Sequence, residues 1–111
     1  MYIAMNRFRV KKGSEDAFEK VWANRDSYLH RMKGFAEFHL LKGPEADDHT
    51  LYSSHTVWQT KDDFVAWTNS EEFKIAHARA LAEPTGALYL DHPKFEGFEV
   101  RQTLTSEGKA A

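Results

Sequence analysis

The order in which strand-like and helix-like patterns follow one another limits the folds open to this chain. A period of two residues, typical of strands, occurs in segments 2–10, 35–42, 51–59 and 94–103. A helical period of about 3.6 residues occupies residues 14–32 and 60–81. The resulting order, β-α-β-β-α-β, is the split βαβ arrangement of ferredoxin-like domains. We therefore expect an α+β fold in which two helical layers cover one face of a four-stranded antiparallel sheet.

Turn and capping residues bound these predicted elements. Ser14 is placed to cap the first helix, and Gly34 is a typical residue for its end after Met32. Residues 43–50 have turn composition, so the second and third strands are predicted as a hairpin with a long loop. Residues 83–93 contain prolines and a glycine and are expected to form a loop with a short extended piece.

The second helical region divides into two helices at a polar break. Thr60 is placed to cap the first of them, with Asp63 three residues later, and Ser70 is placed to cap the second. The spacing of one apolar helix face in the second is followed by Phe73, Ala76, His77, Ala80 and Leu81. His77, which can bind a metal, is therefore expected to point inward among apolar side chains.

Length and composition indicate one globular domain. The 111 residues, 41% hydrophobic and 29% charged, are enough for one core. We assign residues 1–103 to this domain and 104–111, which are polar and small, to a flexible C-terminal tail. A net charge of −2 gives no reason to expect nucleic acid or an anionic membrane, and the absence of cysteine excludes thiolate catalysis. The N-terminus lacks a signal peptide or membrane span, which favours a cytoplasmic location.

Apolar side chains occur on both faces of the predicted sheet. The third strand presents Leu51 and Val57 on one face and Tyr52 and Trp58 on the other. The second strand does the same, with Phe35 and Leu41 opposed to Phe38 and Leu40. Because two helical layers cover only one face, the other is expected to pack against a second copy, giving a homodimer with its sheets face to face. Scattered surface apolar residues are the alternative.

Three residues on the apolar faces are candidates for chemistry. A single inward histidine, His77, suits a haem iron because the porphyrin supplies four further ligands; a buried, hydrogen-bonded structural histidine is the alternative. No histidine has a partner at the spacing of a multi-ligand zinc or iron site. Asn6, in the middle of the more apolar face of the first strand, needs hydrogen-bond partners from a ligand or from neighbouring backbone. Trp67, with Phe64 three residues before it, is either core packing or a flat wall for a cofactor.

Four segments carry a resemblance to one family. They are AMNRFRVKKG near the N-terminus, KGFAEFHLLKG, HTLYSSHTVWQTKDDFVAW and SEEFKIAHARA. Together they are similar to the IsdG-type haem-degrading monooxygenases, a branch of the antibiotic-biosynthesis monooxygenase superfamily. The likeness runs from residue 2 to about residue 82. Its specific part is the combination of a strand asparagine, a tryptophan before the helix break and a histidine in the following helix.

The resemblance implies a role for each of these residues. By likeness to the family, His77 is the axial ligand of the haem iron, Asn6 hydrogen-bonds to bound oxygen, and Trp67 pushes the porphyrin out of plane. These three are the expected catalytic residues. The cofactor-binding set implied by the resemblance adds Phe8, Phe64 and Phe73. The family's dimer, in which two sheets form an α+β barrel, agrees with the two-faced sheet inferred above.

The function implied is that of an O₂-dependent haem monooxygenase in which haem is both cofactor and substrate. Such an enzyme opens the porphyrin ring and releases iron, with electrons from a reductase or another external donor. Arg25 and Arg79 are candidates for contact with the haem propionates, and the 83–93 loop is shorter than in some family members. A cofactor-free oxygenase of a polyketide-like or quinol substrate is one alternative. A haem-binding carrier, or a dimeric binding module without turnover, is the other.

Overall fold

The computed structural model describes residues 1–25, 28–82 and 88–109, apart from the side chains of 79–82. Within these residues the elements are, in chain order, β1 (Tyr2–Lys11), α1 (Glu15–Ala23), a 3₁₀ turn (Leu29–Arg31), β2 (Phe35–Glu45), β3 (His49–Trp58), α2 (Lys61–Thr68), α3 (Glu71–Ala82), β4 (Lys94–Glu99), β5 (Leu104–Thr105) and β6 (Gly108–Lys109). The first four strands form one sheet and the last two form a small hairpin.

The main sheet has the strand order β2-β3-β1-β4, and its neighbouring strands are antiparallel. Consecutive β2 and β3 pair as a hairpin, whereas the connections through the helices place β1 between β3 and β4. This is the order of a ferredoxin-like domain, and the predicted α+β fold class is confirmed. The central position of β1 brings its side chains beneath the helices.

Buried hydrophobic residues on the helix-covered side form two clusters rather than one. The first consists of Tyr2, Ala4, Leu29, Trp58 and Trp67. The second, which we call the packed cluster, consists of Phe8, Val10, Phe18 and Tyr52. Asn6 lies on β1 between Ala4 of the first cluster and Phe8 of the second, so the break in the hydrophobic core falls at Asn6.

The first helix is shorter than predicted, ending at Ala23 instead of near residue 32. The Asn24 N–H donates to backbone carbonyls of the last turn, and Tyr28 has a φ of 60°, which a right-handed helix does not accommodate. Leu29 reaches the core from the 3₁₀ turn instead. The apolar spacing therefore continues past the end of the helix, which explains the overlong prediction.

Two predicted capping roles at the ends of this segment are also corrected. Ser14 occupies the N-cap position but its side chain makes no capping hydrogen bond. Instead the Glu15 carboxylate accepts the Gly13 N–H at 2.8 Å. Gly34 does not end a helix; with a φ of +80° it forms the turn before β2, where a Cβ would overlap the Asp63 carboxylate.

The β2-β3 hairpin has a short connection, where a long loop was predicted. Pairing continues as far as Glu45 opposite Thr50. The Ala46 N–H then donates to the His49 carbonyl at 2.7 Å. Only residues 46–48 separate the two strands. The other residues of the predicted loop belong to the ends of β2 and β3.

A register shift between Phe35 and Glu37 changes the predicted faces of β2. Phe35 pairs with Trp58 and its ring meets the indole at 5.6 Å in an edge-on contact. A bulge of this kind moves a side chain to the other face of the strand. Phe35 therefore belongs to the helix-covered face, and the prediction that it shares a face with Leu41 is wrong.

The caps predicted for the second helical region are confirmed. The Thr60 Oγ1 accepts the Asp63 N–H at 3.0 Å, and the Ser70 Oγ accepts the Phe73 N–H at 3.1 Å. The Ser70 hydroxyl also donates to the Trp67 carbonyl at 2.6 Å. One serine thus ties the end of α2 to the start of α3, which holds Trp67 and Phe73 close together.

The face of the sheet without helices is also apolar in part, as predicted. It carries Leu41 and Phe98, which are 40% and 48% exposed, and the half-buried Met5 and Leu51. These four line one shallow depression together with polar neighbours. We call this surface the open face.

The remaining segments bear on the predicted chain ends. β4 stops at Glu99 rather than at 103, and the 104–109 part of the predicted tail contains the β5-β6 hairpin; the domain boundary at 103 stays a prediction. In the 83–93 loop, residues 83–87 lie outside the described residues, and Tyr89 bridges Val10 as the short extended piece. Of the described helices, none has the length and apolar character needed to cross a membrane.

Candidate active site

A cavity of about 410 Å³ lies between the sheet and the helices, at the break in the core. β1 and β3 supply its floor with Asn6 and Ser54, and α2 and α3 supply a wall with Trp67 and His77. The remaining lining residues are Ala4, Trp22, Arg25, Leu29, Phe38, Thr56, Phe64, Thr68, Phe73, Ala76 and Phe95. The volume lies within the range of about 300–1,000 Å³ typical of small-molecule and cofactor sites.

His77 lines this cavity but is exposed, contrary to the expectation that it points into the core. Its ring stacks on Phe73, one turn earlier, with centroids 5.5 Å apart and planes 14° apart. Among the described residues, none makes a hydrogen bond to its imidazole. The structural alternative, a buried histidine with satisfied nitrogens, therefore does not describe His77.

Trp67 forms a rigid part of the wall. Its side chain is only 8% exposed, with its ring stacked on Trp58 at 6.4 Å and set edge-on to Phe73 at 5.4 Å. Phe64 lies on the other side of Trp58, at 6.0 Å between centroids. Trp67 is thus a core residue that also lines the cavity, and its role as a wall for a cofactor stays a prediction.

Asn6 has no hydrogen-bond partner for its side chain within the described part of the chain. It is half-buried and lies opposite Ser54 on one side and Phe95 on the other. The alternative of satisfaction by neighbouring backbone is therefore not what the structure has. A half-buried amide aimed at a cavity is available to a ligand.

Phe8 is the one predicted cofactor-binding residue that the structure does not bring to the cavity. It is 6% exposed and belongs to the packed cluster, where its ring contacts Phe18 at 5.2 Å and Tyr89 at 5.6 Å. It follows Asn6 on the same face of β1, but α1 covers it completely. The other predicted residues, Asn6, Trp67, His77, Phe64 and Phe73, all line the cavity.

Arg25 provides positive charge at the cavity. Its guanidinium carbon lies 4.5 Å from the centre of the Trp22 ring, a cation–π contact. Both residues line the cavity. The side chain of Arg79, the second arginine proposed from the sequence, lies outside the described residues.

Sequence reasoning missed several lining residues, including Ser54, Trp22 and Phe38. Ser54 carried a usable signal, because strand alternation places it on the same face as Trp58 and hence on the helix-covered side. In the described part of the chain, no three histidine, aspartate or glutamate side chains converge on a metal position. A metal held at His77 would therefore need its other ligands from a bound group.

Comparisons with known proteins place this fold and cavity in one class of enzymes, the small α+β monooxygenases. The model of the antibiotic biosynthesis monooxygenase family matches residues 1–79. The heme-degrading monooxygenase of Shouchella clausii is 34% identical over 87 residues, which cover 76% of this chain and 78% of that protein. The chain therefore belongs to the antibiotic biosynthesis monooxygenase family, and the resemblance to its haem-degrading branch is confirmed.

Two solved structures illustrate the range of this family. An arginine-to-serine variant of MhuD with two manganese protoporphyrin IX molecules bound per active site is 25% identical, with a TM-score of 0.74 over 96% of this chain and all of that one. SnoaB from Streptomyces nogalater, a cofactor-independent oxygenase, is 32% identical, with a TM-score of 0.65 over 93% of this chain and 95% of that one. One fold thus serves a protein that binds a porphyrin and an oxygenase that needs no cofactor.

Proposed function

We propose that this protein is a haem-degrading monooxygenase, with haem as its substrate and the source of its redox chemistry. The observation that carries the proposal is the cavity that joins the His77 imidazole to the amide of Asn6 beside Trp67, where neither side chain has a hydrogen-bond partner among the described residues. A porphyrin fits the donor set, because it brings four of the iron ligands itself and requires one from the protein. The aromatic walls suit a flat apolar ring.

His77 would bind the haem iron from α3. Its stacking on Phe73 restricts rotation of the imidazole, and its lack of a hydrogen-bond partner among the described residues leaves a ring nitrogen available as a ligand. Bound haem supplies an iron that activates O₂ when electrons arrive from an external donor. The histidine's contribution would be to hold the iron.

Asn6 and Trp67 would act on the reacting side of the substrate. The Asn6 amide, held on the central strand, donates a hydrogen bond where oxygen is to be directed. The Trp67 ring, fixed between Trp58 and Phe73, would be a rigid wall against which a bound porphyrin is positioned for the reaction. Arg25 lies at the cavity as a partner for a propionate carboxylate.

We also propose that the functional unit is a homodimer formed through the open face. Leu41 and Phe98 remain exposed there, and burial of an apolar sheet face against its own copy is the usual remedy. Sedimentation of wild-type protein should give a dimer, and Leu41→Asp should give a monomer. A wild-type monomer at micromolar concentration would overturn this assembly. The cytoplasmic location and the reductase that supplies electrons stay predictions.

A cofactor-free oxygenase is the second candidate, favoured by the 32% identity to SnoaB. The two functions differ at His77, which a porphyrin needs as a ligand and a cofactor-free reaction does not. A carrier that binds haem without turnover is the third.

The test is a haemin titration followed by an electron donor in air, with the Soret band recorded throughout. Saturation at one haem per chain, followed by loss of the band and release of iron, is expected. A saturated band that persists with several electron donors would indicate a carrier. Absence of specific binding would leave the cofactor-free oxygenase as the function.

A further inference from the structure

Ser54 is a polar residue on the cavity floor that the roles described so far do not use. It is 7% exposed, lines the cavity, and lies directly opposite Asn6 in the pairing of β3 with β1. Directly opposed residues of antiparallel strands have Cβ atoms about 4.5–5.5 Å apart. The Ser54 hydroxyl and the Asn6 amide are therefore neighbours on the same floor.

The hydroxyl groups around the cavity differ in whether they already form hydrogen bonds. The Thr56 hydroxyl donates to the Ala4 carbonyl at 3.3 Å and accepts the Trp58 indole N–H at 3.1 Å. The Thr68 hydroxyl donates to the Val65 carbonyl at 2.7 Å. These two threonines serve the fold.

Ser54 and Asn6 differ from the threonines. In the described part of the chain, neither side chain has a hydrogen-bond partner. The Ser54 hydroxyl is also absent from the fully enclosed unpaired groups among the described residues, so it retains contact with the cavity. A nearly buried hydroxyl that is unpaired costs free energy, and a ligand in the cavity would remove that cost.

We propose that Ser54 is a second hydrogen-bonding residue of the site, acting with Asn6 on the small ligand carried by the substrate's iron. The inference rests on the proposed function. Two adjacent polar groups on the floor whose hydrogen-bonding capacity is unused among the described residues form a site for both atoms of a diatomic ligand, with one donor for each approach direction. Ser54 thereby fixes the direction of that ligand, while His77 and the aromatic walls fix the porphyrin.

The test uses cyanide as a diatomic probe on the haemin-loaded ferric protein, so that no turnover is needed. Cyanide affinity is measured from the Soret shift in wild type, Ser54→Ala and Ser54→Thr. Ser54→Ala should bind haemin like wild type but bind cyanide about three- to tenfold more weakly, the loss of one hydrogen bond. Ser54→Thr, which keeps the hydroxyl, should restore most of that affinity.

Ser53→Ala is the matched control. Ser53 is the adjacent buried serine, 8% exposed, and its hydroxyl donates to the Ser54 carbonyl at 3.1 Å instead of reaching the cavity. Its removal should leave cyanide affinity unchanged. If Ser54→Ala does not fold, Ser54→Cys provides a variant of nearly the same volume with a weak donor, for which the same loss is expected.

The outcomes separate this inference from the function it rests on. Failure of wild type to bind haemin overturns both. Haemin binding by wild type with equal cyanide affinity in wild type and Ser54→Ala overturns the role of Ser54 alone. Equal losses in Ser54→Ala and Ser53→Ala also overturn it, because the effect would then come from the strand and not from the hydroxyl.

Discussion

The packed cluster and the cavity lie side by side on one face of one sheet, but they differ in whether their polar side chains form hydrogen bonds within the protein. In the packed cluster, the Tyr52 hydroxyl donates to Glu19 at 2.5 Å. Beside the cluster, the hydroxyl of Thr50, which pairs with Val10, donates to Glu15 at 2.8 Å. Both acceptors belong to α1, so these bonds fix the helix on the sheet. Burial, together with the Glu19 hydrogen bond and charge, raises the pKa of Tyr52.

In the cavity, by contrast, three polar side chains have no hydrogen-bond partner among the described residues. Asn6, Ser54 and His77 have no hydrogen bonds to their side chains in the part of the chain that the structure describes. Leaving a buried group unpaired costs about 1–3 kcal/mol, which a fold tolerates at sites that bind ligands. The difference separates polar residues that stabilise the fold from those that are available for chemistry.

The largest effect is expected at His77, the one of the three that we propose as a ligand of the haem iron. We expect His77→Ala to abolish stable haem ligation while changing the free energy of unfolding by less than about 1 kcal/mol, because the residue is exposed. Haemin titration and urea unfolding check the two parts. His30→Ala, an exposed histidine on the 3₁₀ turn, is the control; an unchanged Soret spectrum in His77→Ala would remove His77 from the site.

Asn6→Ala is expected to retain haem binding and to slow ring opening by about a hundredfold or more, the scale of losing one positioned hydrogen-bond donor. Its stability should not fall, because the amide has no hydrogen bond to lose within the described part of the chain. Thr56→Ala should instead lower the free energy of unfolding by about 1–3 kcal/mol, because the Trp58 indole N–H would lose its acceptor. Single-turnover spectra report the rate of ring opening, and urea unfolding reports the stability of each variant. Normal product formation by Asn6→Ala would exclude the oxygen-positioning role.

The sequence was sufficient to predict the fold class, because each strand alternates and each helix of the second region carries its own cap. It also predicted Asn6, Trp67 and His77 as one set, and the structure brings them to one cavity. Asn6 and His77 stood out because each is a polar or metal-binding residue at a position predicted to be apolar, whereas only the resemblance to the family joined them with Trp67 into one set.

The rest depended on tertiary packing. Phe8 and Ser54 occupy the same side of the sheet as Asn6, but only the path of α1 and the 3₁₀ turn decides which is covered and which faces the cavity. Phe8 packs against Phe18 of α1, whereas Ser54 lines the cavity. The exposure of His77 likewise follows from where α3 lies relative to the sheet, which helical spacing does not specify.

The packed cluster should respond to substitution through stability and not through ligand binding. Phe18 is 1% exposed and contacts Phe8, Tyr52 and Tyr89. Phe18→Ala is expected to lower the free energy of unfolding by about 3–5 kcal/mol, measured by urea at fixed protein concentration. Phe73→Ala, at the half-buried cavity wall, should cost less than half as much. Equal losses in the free energy of unfolding for the two variants would contradict the proposed distinction between the two regions.

The smallest effect is expected at the hydrogen bond from Tyr52 to Glu19. Tyr52→Phe should lower the free energy of unfolding near neutral pH by about 1–2 kcal/mol, because Glu19 is exposed enough to be rehydrated. The sign of the pH dependence follows from the raised pKa of Tyr52. Above about pH 10 the unfolded tyrosine ionises while the folded one stays neutral. The free energy of unfolding of the wild type therefore falls by up to about 1.4 kcal/mol per pH unit, a loss that the variant without the hydroxyl does not have.

The gap in stability between wild type and Tyr52→Phe should therefore narrow as pH rises from about 9 to 11, as urea unfolding at each pH would report. Glu19→Gln is the control. It keeps an acceptor for the hydroxyl but removes the carboxylate charge that helps to raise the pKa of Tyr52. Its stability should begin to fall at the same pH as that of the wild type, because the unfolded tyrosine sets that point, but it should level off at a lower pH with a smaller total loss. Parallel curves for wild type and Tyr52→Phe would show that the hydroxyl is not held neutral by its surroundings. In that case the packed cluster would owe its rigidity to ring contacts alone, and satisfied polar groups would no longer distinguish it from the cavity.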